Sequence, residues 1–330
     1  MHELRKDPIT GRWVIISDER AKRPLGLSLE PEPPQLEVDP FAPGNEHLTP
    51  PDILTYRDDS QPERPWIMRV IPNKFPALRV EGELTREGVG LYDKMSGIGA
   101  HEVIIETRDG RRDFAAFNEH EIELVMRAYR DRIRDLQNDV RLKYILIFKN
   151  EGRLAGATQQ HSHSQLIALP IIPKNVQEEL QGARDYYEFK ERNVYLDIIN
   201  QELRYGERLV TENPDFIVVA PFASRVPFEL TILPRNHQPS YQDIRDDQLT
   251  FLAKIFSRTM RLLAKALGNF SYNFAIHTAP LQVGFLSYYH WHIEIAPRLT
   301  RFGGFEAASG FFINPTPPEE VAQYLRNIKL

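Results

Sequence analysis

The sequence predicts an α+β protein made from two copies of one unit, and three observations carry that reading. Both halves show the same order of elements: a strand, an amphipathic helix, a second strand, then a strand bearing two histidines. From the first strand to the histidines the spacing is about 60 residues in each half, as expected of an internal duplication. Both copies also close on His-x-His followed by an apolar run, "HSHSQLIALP" from His161 and "HWHIEIAP" from His290. The expected units are residues 1–175 and 176–330, packed tightly on each other.

The elements follow from local pattern. "RWVIIS" (Arg12 to Ser17) reads as a strand after the turn "DPITG". The segment from Lys22 to Asp52 is rich in proline and reads as a long irregular stretch. "WIMRVIPNKFPAL" gives a strand and a turn, and "HEVIIET" a half-buried strand. Ile122, Val125, Met126, Tyr129, Ile133 and Leu136 recur at helical spacing, with Asn118 and Glu121 placed to form a capping box. "YILIFKN" is a strand, followed by the glycine-bearing loop "EGRLAGATQQ". In the second half "DFIVVAPFAS" and "PFELTILP" read as strands and "DDQLTFLAKIFSRTMRLLAKAL" as an amphipathic helix. "NFAIHTAP" and "YYHWHIEIAP" close it as strands.

Composition narrows the function. The chain has 330 residues, 42% of them hydrophobic, which suffices for a sizeable core. A net charge of -5 argues against nucleic-acid binding, which wants a basic surface. The absence of cysteine removes disulfides, Cys-based zinc sites and Cys nucleophiles, and fits a cytoplasmic location. No apolar leader opens the chain and no window is long enough to span a membrane.

The chemistry gathers at His161, His163 and Gln165. Residues i and i+2 of a strand share a face, so these three form one polar ridge. Such a ridge can ligate a metal, move protons or attack phosphorus. Imidazole becomes a labile phosphoramidate when it attacks phosphorus, and a neighbouring amide can hold the phosphoryl oxygen. His2, His47 and His120 have no partner at useful spacing and read as surface or capping residues.

"HSHSQ" resembles the HPHxQ signature of galactose-1-phosphate uridylyltransferases, in the histidine-triad superfamily. "DPITGRWVIISDERAKRP", "PGNEHLTPPDIL", "RVIPNKFPAL", "FKNEGRLAGAT", "FASRVPFELTILPRNH" and "GGFEAASGFFINPTPPE" follow in that family's order. The resemblance implies duplicated histidine-triad-like units, an antiparallel sheet forming a half-barrel with flanking helices, and a homodimer. It implies that His163 is the nucleophile and that Gln165 holds the transferring phosphoryl group. Asn150, Gly156 and Thr158 match positions around the nucleotide phosphates, and Asn73, Lys74 and Phe75 match the uridine side. Arg20 and Arg23 match basic residues that in relatives come from the partner subunit. Phe305 and Glu306 match positions that hold sugar hydroxyls.

The chain departs from the family at its zinc site. Two cysteines that precede "GNE" in many relatives are here Asp39 and Ala42, with His101 and His161 as the former histidine partners. Three mixed ligands hold zinc less well than a closed set of four. The expectation is an empty or weak site, with packing or a hydrogen bond holding His161. A further C-x-x-C of some relatives falls near Asn193 and Leu196 and is also missing. A second set, Glu179, His277, His290 and His292, matches a structural metal site in relatives, and its ligand types suit zinc or iron. His237 is a weaker candidate for a second-half site.

The resemblance leads first to uridylyl transfer. His163 would attack UDP-glucose, release glucose 1-phosphate and pass the uridylyl group to galactose 1-phosphate, with ping-pong kinetics. The alternative is a phosphorylase acting on ADP-glucose or another nucleotide sugar. The serine within "HSHSQ" and the run "ASGFFINP" resemble that subgroup. A non-catalytic nucleotide-binding protein is the third reading, against which the intact His163 and Gln165 weigh.

Overall fold

The computed structural model describes residues 2–19, 38–57, 60, 62–64, 66–299, 301 and 303–330. Arg20, Arg23 and most of the proline-rich stretch lie outside the described residues. The N-terminal half contains β1 (His2–Lys6), β2 (Trp13–Ser17), β3 (Leu54–Tyr56), β4 (Met68–Pro72), β5 (Arg86–Val89), β6 (Tyr92–Met95) and β7 (Ala100–Ile105). Helix α1 (Glu119–Leu136), β8 (Tyr144–Glu151) and β9 (His163–Leu169) complete it. The C-terminal half runs α2 (Lys174–Lys190), α3 (Val194–Tyr205), β10 (Leu209–Glu212), β11 (Phe216–Val219), β12 (Leu230–Pro234), α4 (Asp246–Leu267), β13 (Tyr272–His277) and β14 (His292–Pro297). It ends with α5 (Gly304–Ser309), β15 (Phe312–Asn314) and α6 (Pro318–Arg326).

Ten strands form one sheet in the order β10-β11-β12-β14-β13-β8-β9-β7-β4-β3, and every neighbouring pair is antiparallel. The order reads alike from either edge. β3, β4, β7, β9 and β8 come from the first predicted unit, and β10, β11, β12, β14 and β13 from the second. The two halves meet where β8 pairs with β13. This is the duplicated α+β architecture read from the repeat of sequence elements. A separate sheet joins β1, β2 and β15, with β15 parallel to β2.

The predicted helix starts at its capping box. Asn118 Oδ1 accepts from the Glu121 N–H at 3.0 Å, and the Glu121 carboxylate accepts from the Asn118 N–H at 2.8 Å. Ile122, Val125, Met126, Tyr129 and Ile133 are buried along one stripe of α1, and Leu249, Leu252, Phe256, Met260 and Leu263 along α4. The two helices pack against each other over one face of the sheet. Truncating a buried side chain such as Phe256 or Tyr129 to alanine costs about 3–5 kcal/mol. Arg132 of α1 also clamps Glu102 of β7 with bonds of 2.6 and 2.7 Å, fixing the strand beside His101. Among the described residues no helix is long and apolar enough to cross a membrane.

The other sheet face carries α2 and α3 over the C-terminal strands and a Phe41–Trp66 cluster over β4 and β7, with both candidate sites on the same side. Gln165 of β9 lies opposite Phe148 of β8, Phe148 opposite Ala275 of β13, and Ala275 opposite Glu294 of β14. Gln165 and Glu294 therefore share one face, about 15 Å apart across three strand spacings. His163 of β9 and His292 of β14 lie on this face, both buried.

Candidate active site

β9 begins at His163, so alternation sends His163 and Gln165 to the open face and Ser164 to the helix side. Tyr129 of α1 donates to Ser164 Oγ at 2.8 Å. Ser162 donates to Glu106 at 2.7 Å, and Lys149 Nζ donates to Glu106 and to Ser162 Oγ, both at 2.8 Å. Lys149 also donates to the His163 carbonyl at 3.2 Å. Burial opposes the Lys149 charge, but the carboxylates of Glu106 and Glu151 outweigh it and hold the ammonium charged. This network beneath the nucleophile strand escaped the sequence reading. Its only signal was a lysine on an inward position of "YILIFKN".

The His163 ring leaves one nitrogen free. Its Nδ1–H donates to the His161 carbonyl at 2.8 Å, which leaves the Nε2 lone pair for attack. Burial, helped by the nearby Lys149 ammonium, brings its pKa down to about 4, so the ring is neutral at ordinary pH. Phe41 packs its ring against both imidazoles, 5.5 Å from His163 and 6.0 Å from His161 between centroids. Phe41 was a second omission; it lies in "DPFAPGNE", inside the former cysteine motif.

Gln165 is polarised from behind. The Ala77 N–H donates to His101 Nδ1 at 3.1 Å, so His101 carries its proton on Nε2. That Nε2–H donates to Gln165 Oε1 at 2.8 Å. The amide carbonyl is thereby tied down and the amide NH2 is the end presented to a ligand. Asn73 Nδ2 lies 3.1 Å from the same His101 nitrogen, and Asn73 Oδ1 accepts from the Phe75 N–H at 2.9 Å. Lys74 reaches the Leu48 carbonyl at 3.4 Å, and the Phe75 ring is exposed.

His161 does not pair with His101 as the degenerate zinc site requires. Its Nδ1 meets Asp39 Oδ2 at 2.7 Å and its Nε2 meets the Thr107 carbonyl at 2.7 Å. Both ring nitrogens face acceptors, whereas a metal-bound imidazole gives one lone pair to the ion. Asp39, His101 and His161 therefore do not fit zinc, because Asp39 has become the hydrogen-bond partner of His161 and His101 serves Gln165. The site depends on Gly110 as well. A Cβ there would stand 2.7 Å from His161 Nδ1 and 3.1 Å from Asp39 Oδ2, so only glycine lets the loop close over the pair.

Asn150 is the last but one residue of β8, on the face of His163, and Gly156 and Thr158 follow in an exposed loop. Gly156 ends a single 3-10 turn with a φ of 88°, a left-handed conformation that suits glycine. Phe305 and Glu306 lie on α5, outside the large sheet, where Glu306 accepts from the Gly303 N–H at 2.9 Å to cap its own helix. Their place in a sugar pocket rests on the resemblance alone.

The predicted second metal set changes by one member. Glu179, His277, His292 and Glu294 bring their ligand atoms within 4.8 Å of one another. His290 is not among them: its Nε2 donates to the Pro234 carbonyl at 2.9 Å and its Nδ1 accepts from the Gln238 N–H at 3.3 Å. The reason is that β14 starts at His292, so the true i, i+2 pair is His292 and Glu294. His237 is likewise engaged, with the Tyr289 carbonyl at 2.8 Å. Asn193 caps α3, its Oδ1 accepting from the N–H groups of Tyr195 and Leu196. Two imidazoles and two carboxylates could hold a metal ion. As the cluster stands, His277 is its cation: burial opposes that charge, but Glu179 and Glu294 push its pKa up to about 10.

The family model "Galactose-1-phosphate uridyl transferase, N-terminal domain" matches residues 1–173, and a model of a domain of unknown function matches residues 98–328. ADP-glucose phosphorylase of Arabidopsis thaliana is 36% identical, over 99% of this chain and 93% of that protein. Galactose-1-phosphate uridylyltransferase of Thermotoga maritima is 28% identical, over 100% of this chain and 99% of that protein. The solved structure of an Arabidopsis thaliana ADP-glucose phosphorylase with bound ADP-glucose matches with a TM-score of 0.86 at 34% identity, covering 100% of this chain and 99% of that one. The chain belongs to the galactose-1-phosphate uridyl transferase family, a family of nucleotidyltransferases.

Proposed function

We propose that this enzyme transfers the adenylyl group of ADP-glucose to inorganic phosphate through a covalent intermediate on His163. The observation that carries the chemistry is the His163 ring, neutral and with Nδ1–H bound to the His161 carbonyl. Nε2 attacks the α-phosphorus, the bond from that phosphorus to the bridging oxygen breaks, and glucose 1-phosphate leaves. A phosphate oxygen then attacks the adenylyl-His163, the P–N bond breaks, and ADP departs. The NH2 of Gln165 donates to the phosphoryl oxygens as charge builds on them, a contribution of roughly 2.7–4 kcal/mol for one such donor.

The choice of adenine and phosphate over the uridylyl reading is supported by the relatives. The ADP-glucose phosphorylase shares 36% identity with the chain and the Thermotoga maritima uridylyltransferase 28%. The serine in "HSHSQ" points the same way. The second reading, UDP-glucose with galactose 1-phosphate as acceptor, is favoured by the family model over residues 1–173. In either case the roles of Arg20, Arg23, Asn73, Lys74, Phe75, Phe305 and Glu306 as ligand contacts, and work as a homodimer, are part of the proposal.

The test uses ADP-glucose and UDP-glucose, each labelled in the nucleoside. The reading expects the adenosine label on the peptide that contains His163, released as ADP by phosphate. Label from UDP-glucose alone, released by galactose 1-phosphate, would move the assignment to the second reading. Label from neither, with nucleotide still bound, would make the chain a non-catalytic binder.

A further inference from the structure

The C-terminal half reaches the candidate active site through one chain of side-chain hydrogen bonds. Asn273 of β13 lies directly opposite Asn150 of β8, on the seam of the large sheet. Asn273 Nδ2 donates to Asn150 Oδ1 at 2.8 Å and to the Ala155 carbonyl at 2.9 Å. Behind it, Arg298 Nε donates to Asn273 Oδ1. The Arg298 backbone N–H donates to the Ser271 carbonyl at 2.7 Å, which ties the arginine to the start of the same strand.

We propose that Arg298 and Asn273 are positioning residues that fix which end of the Asn150 amide faces the transferring phosphoryl group. A guanidinium has donors only, so Asn273 must turn its carbonyl towards Arg298. Both amide hydrogens of Asn273 then point at acceptors, the carbonyl oxygens of Asn150 and Ala155. With its oxygen consumed, Asn150 presents its NH2. Orientations of amides are ordinarily settled by such networks, and this one has a single consistent solution.

The place where that NH2 emerges gives the chain its use. Phe148 is opposite Gln165, so Asn150, two residues on, faces the same side beside His163. The distance between neighbouring strands is about 5 Å, within reach of one phosphoryl group. Gln165 is preset from its own half through His101, and Asn150 is preset from the other half through Arg298. Two amide donors, oriented before substrate arrives, thus flank the nucleophile. The bond to Ala155 also pins the turn that leads to Gly156. The C-terminal copy of the site has Glu294 where the first has Gln165, and its contribution to transfer is this support.

The inference rests on the proposed nucleotidyl transfer, and the experiment separates the two. Asn273→Asp keeps shape but turns an acceptor towards Asn150, which must then rotate its own oxygen towards the phosphoryl group. The expected result is a fall of at least ten-fold in the rate of His163 adduct formation at saturating nucleotide sugar, with a KM change under three-fold and an unchanged melting temperature. Arg298→Lys keeps a donor to Asn273 and should retain at least half of the wild-type rate, whereas Arg298→Met should match Asn273→Asp. This pair also covers the case in which Asn273→Asp fails to fold. A wild-type rate in Asn273→Asp, or equal rates in Arg298→Lys and Arg298→Met, overturns the inference while leaving nucleotidyl transfer standing. If wild-type protein forms no adduct, the transfer reading fails, and affinity for AMP then serves as the readout. Asn273→Asp should weaken AMP binding at least five-fold, and equal affinity overturns the inference there too.

Discussion

Replacing Asp39 by alanine tests what holds the His161 segment beside β9. The His161 side chain is 1% exposed, and its Nδ1 has Asp39 Oδ2 as its partner at 2.7 Å. A hydrogen bond to a charged group contributes about 1.5–3 kcal/mol, and an orphaned buried donor costs about 1–3 kcal/mol. The Asp39 side chain is 40% exposed, so water screens part of the charge and can replace part of the bond. These considerations place the loss at about 2 kcal/mol. Asp39→Asn, which keeps an acceptor oxygen, should lose about half of that. The assay is urea unfolding, in which the midpoint should fall at unchanged slope, with metal content measured on the same preparations. A midpoint unmoved in Asp39→Ala, or metal released by the substitution, would refute the claim that a hydrogen bond has taken over the zinc position.

Further outcomes follow from the two clusters. His163→Ala should abolish the covalent adduct. In the wild type the adduct rate should climb as pH rises through about 4 and stay level above, because the protonated ring lacks the attacking lone pair; a midpoint near the ordinary histidine value would refute the buried neutral ring. Gly110→Ala should displace His161 and slow adduct formation at least ten-fold, measured against Gly88→Ala, a glycine that likewise needs no positive φ and whose added Cβ meets nothing closer than 3.9 Å. At the second cluster, any bound zinc or iron should survive His290→Ala and be lost in His292→Ala or Glu294→Gln. The metal-free protein should also lose stability there as pH rises. His277 has its pKa raised to about 10 in the fold, so its contribution is complete below its unfolded value near 6.5 and is gone above about 10. A flat stability profile over that window, in protein shown to lack metal, would count against the charged His277.

The fold was legible where periodicity was strong. α1 and α4 show apolar residues at helical spacing because each buries one stripe against the sheet, and the Asn118 cap could be read from four residues. β5 and β6 were missed because their residues are nearly all exposed and carry no alternation. β1 was missed because most of its residues are exposed, and β15 because its partner β2 lies far away in sequence. At the site, His163 and Gln165 could be read from spacing and resemblance. The one change in the second metal set has a clear cause: β14 starts at His292, so His290 precedes the strand and bonds to the Pro234 carbonyl. Pairings such as Asp39 with His161, or Arg298 with Asn273, join residues more than 20 apart, and no local pattern announces them.

The seam between β8 and β13 has a consequence for how this chain can be divided. Its two halves resemble a pair of proteins that would otherwise have to find each other in solution, yet here the joint is a row of backbone hydrogen bonds inside one continuous sheet. A fragment ending after β9 would leave the outer edge of β8, from Ile147 to Glu151, as an unpaired strand template. Such an edge recruits whatever strand it meets, most readily the same edge of another fragment. The duplication has made each half the edge protector of the other, so neither is a natural unit for expression, while the two expressed together have a defined surface on which to recombine.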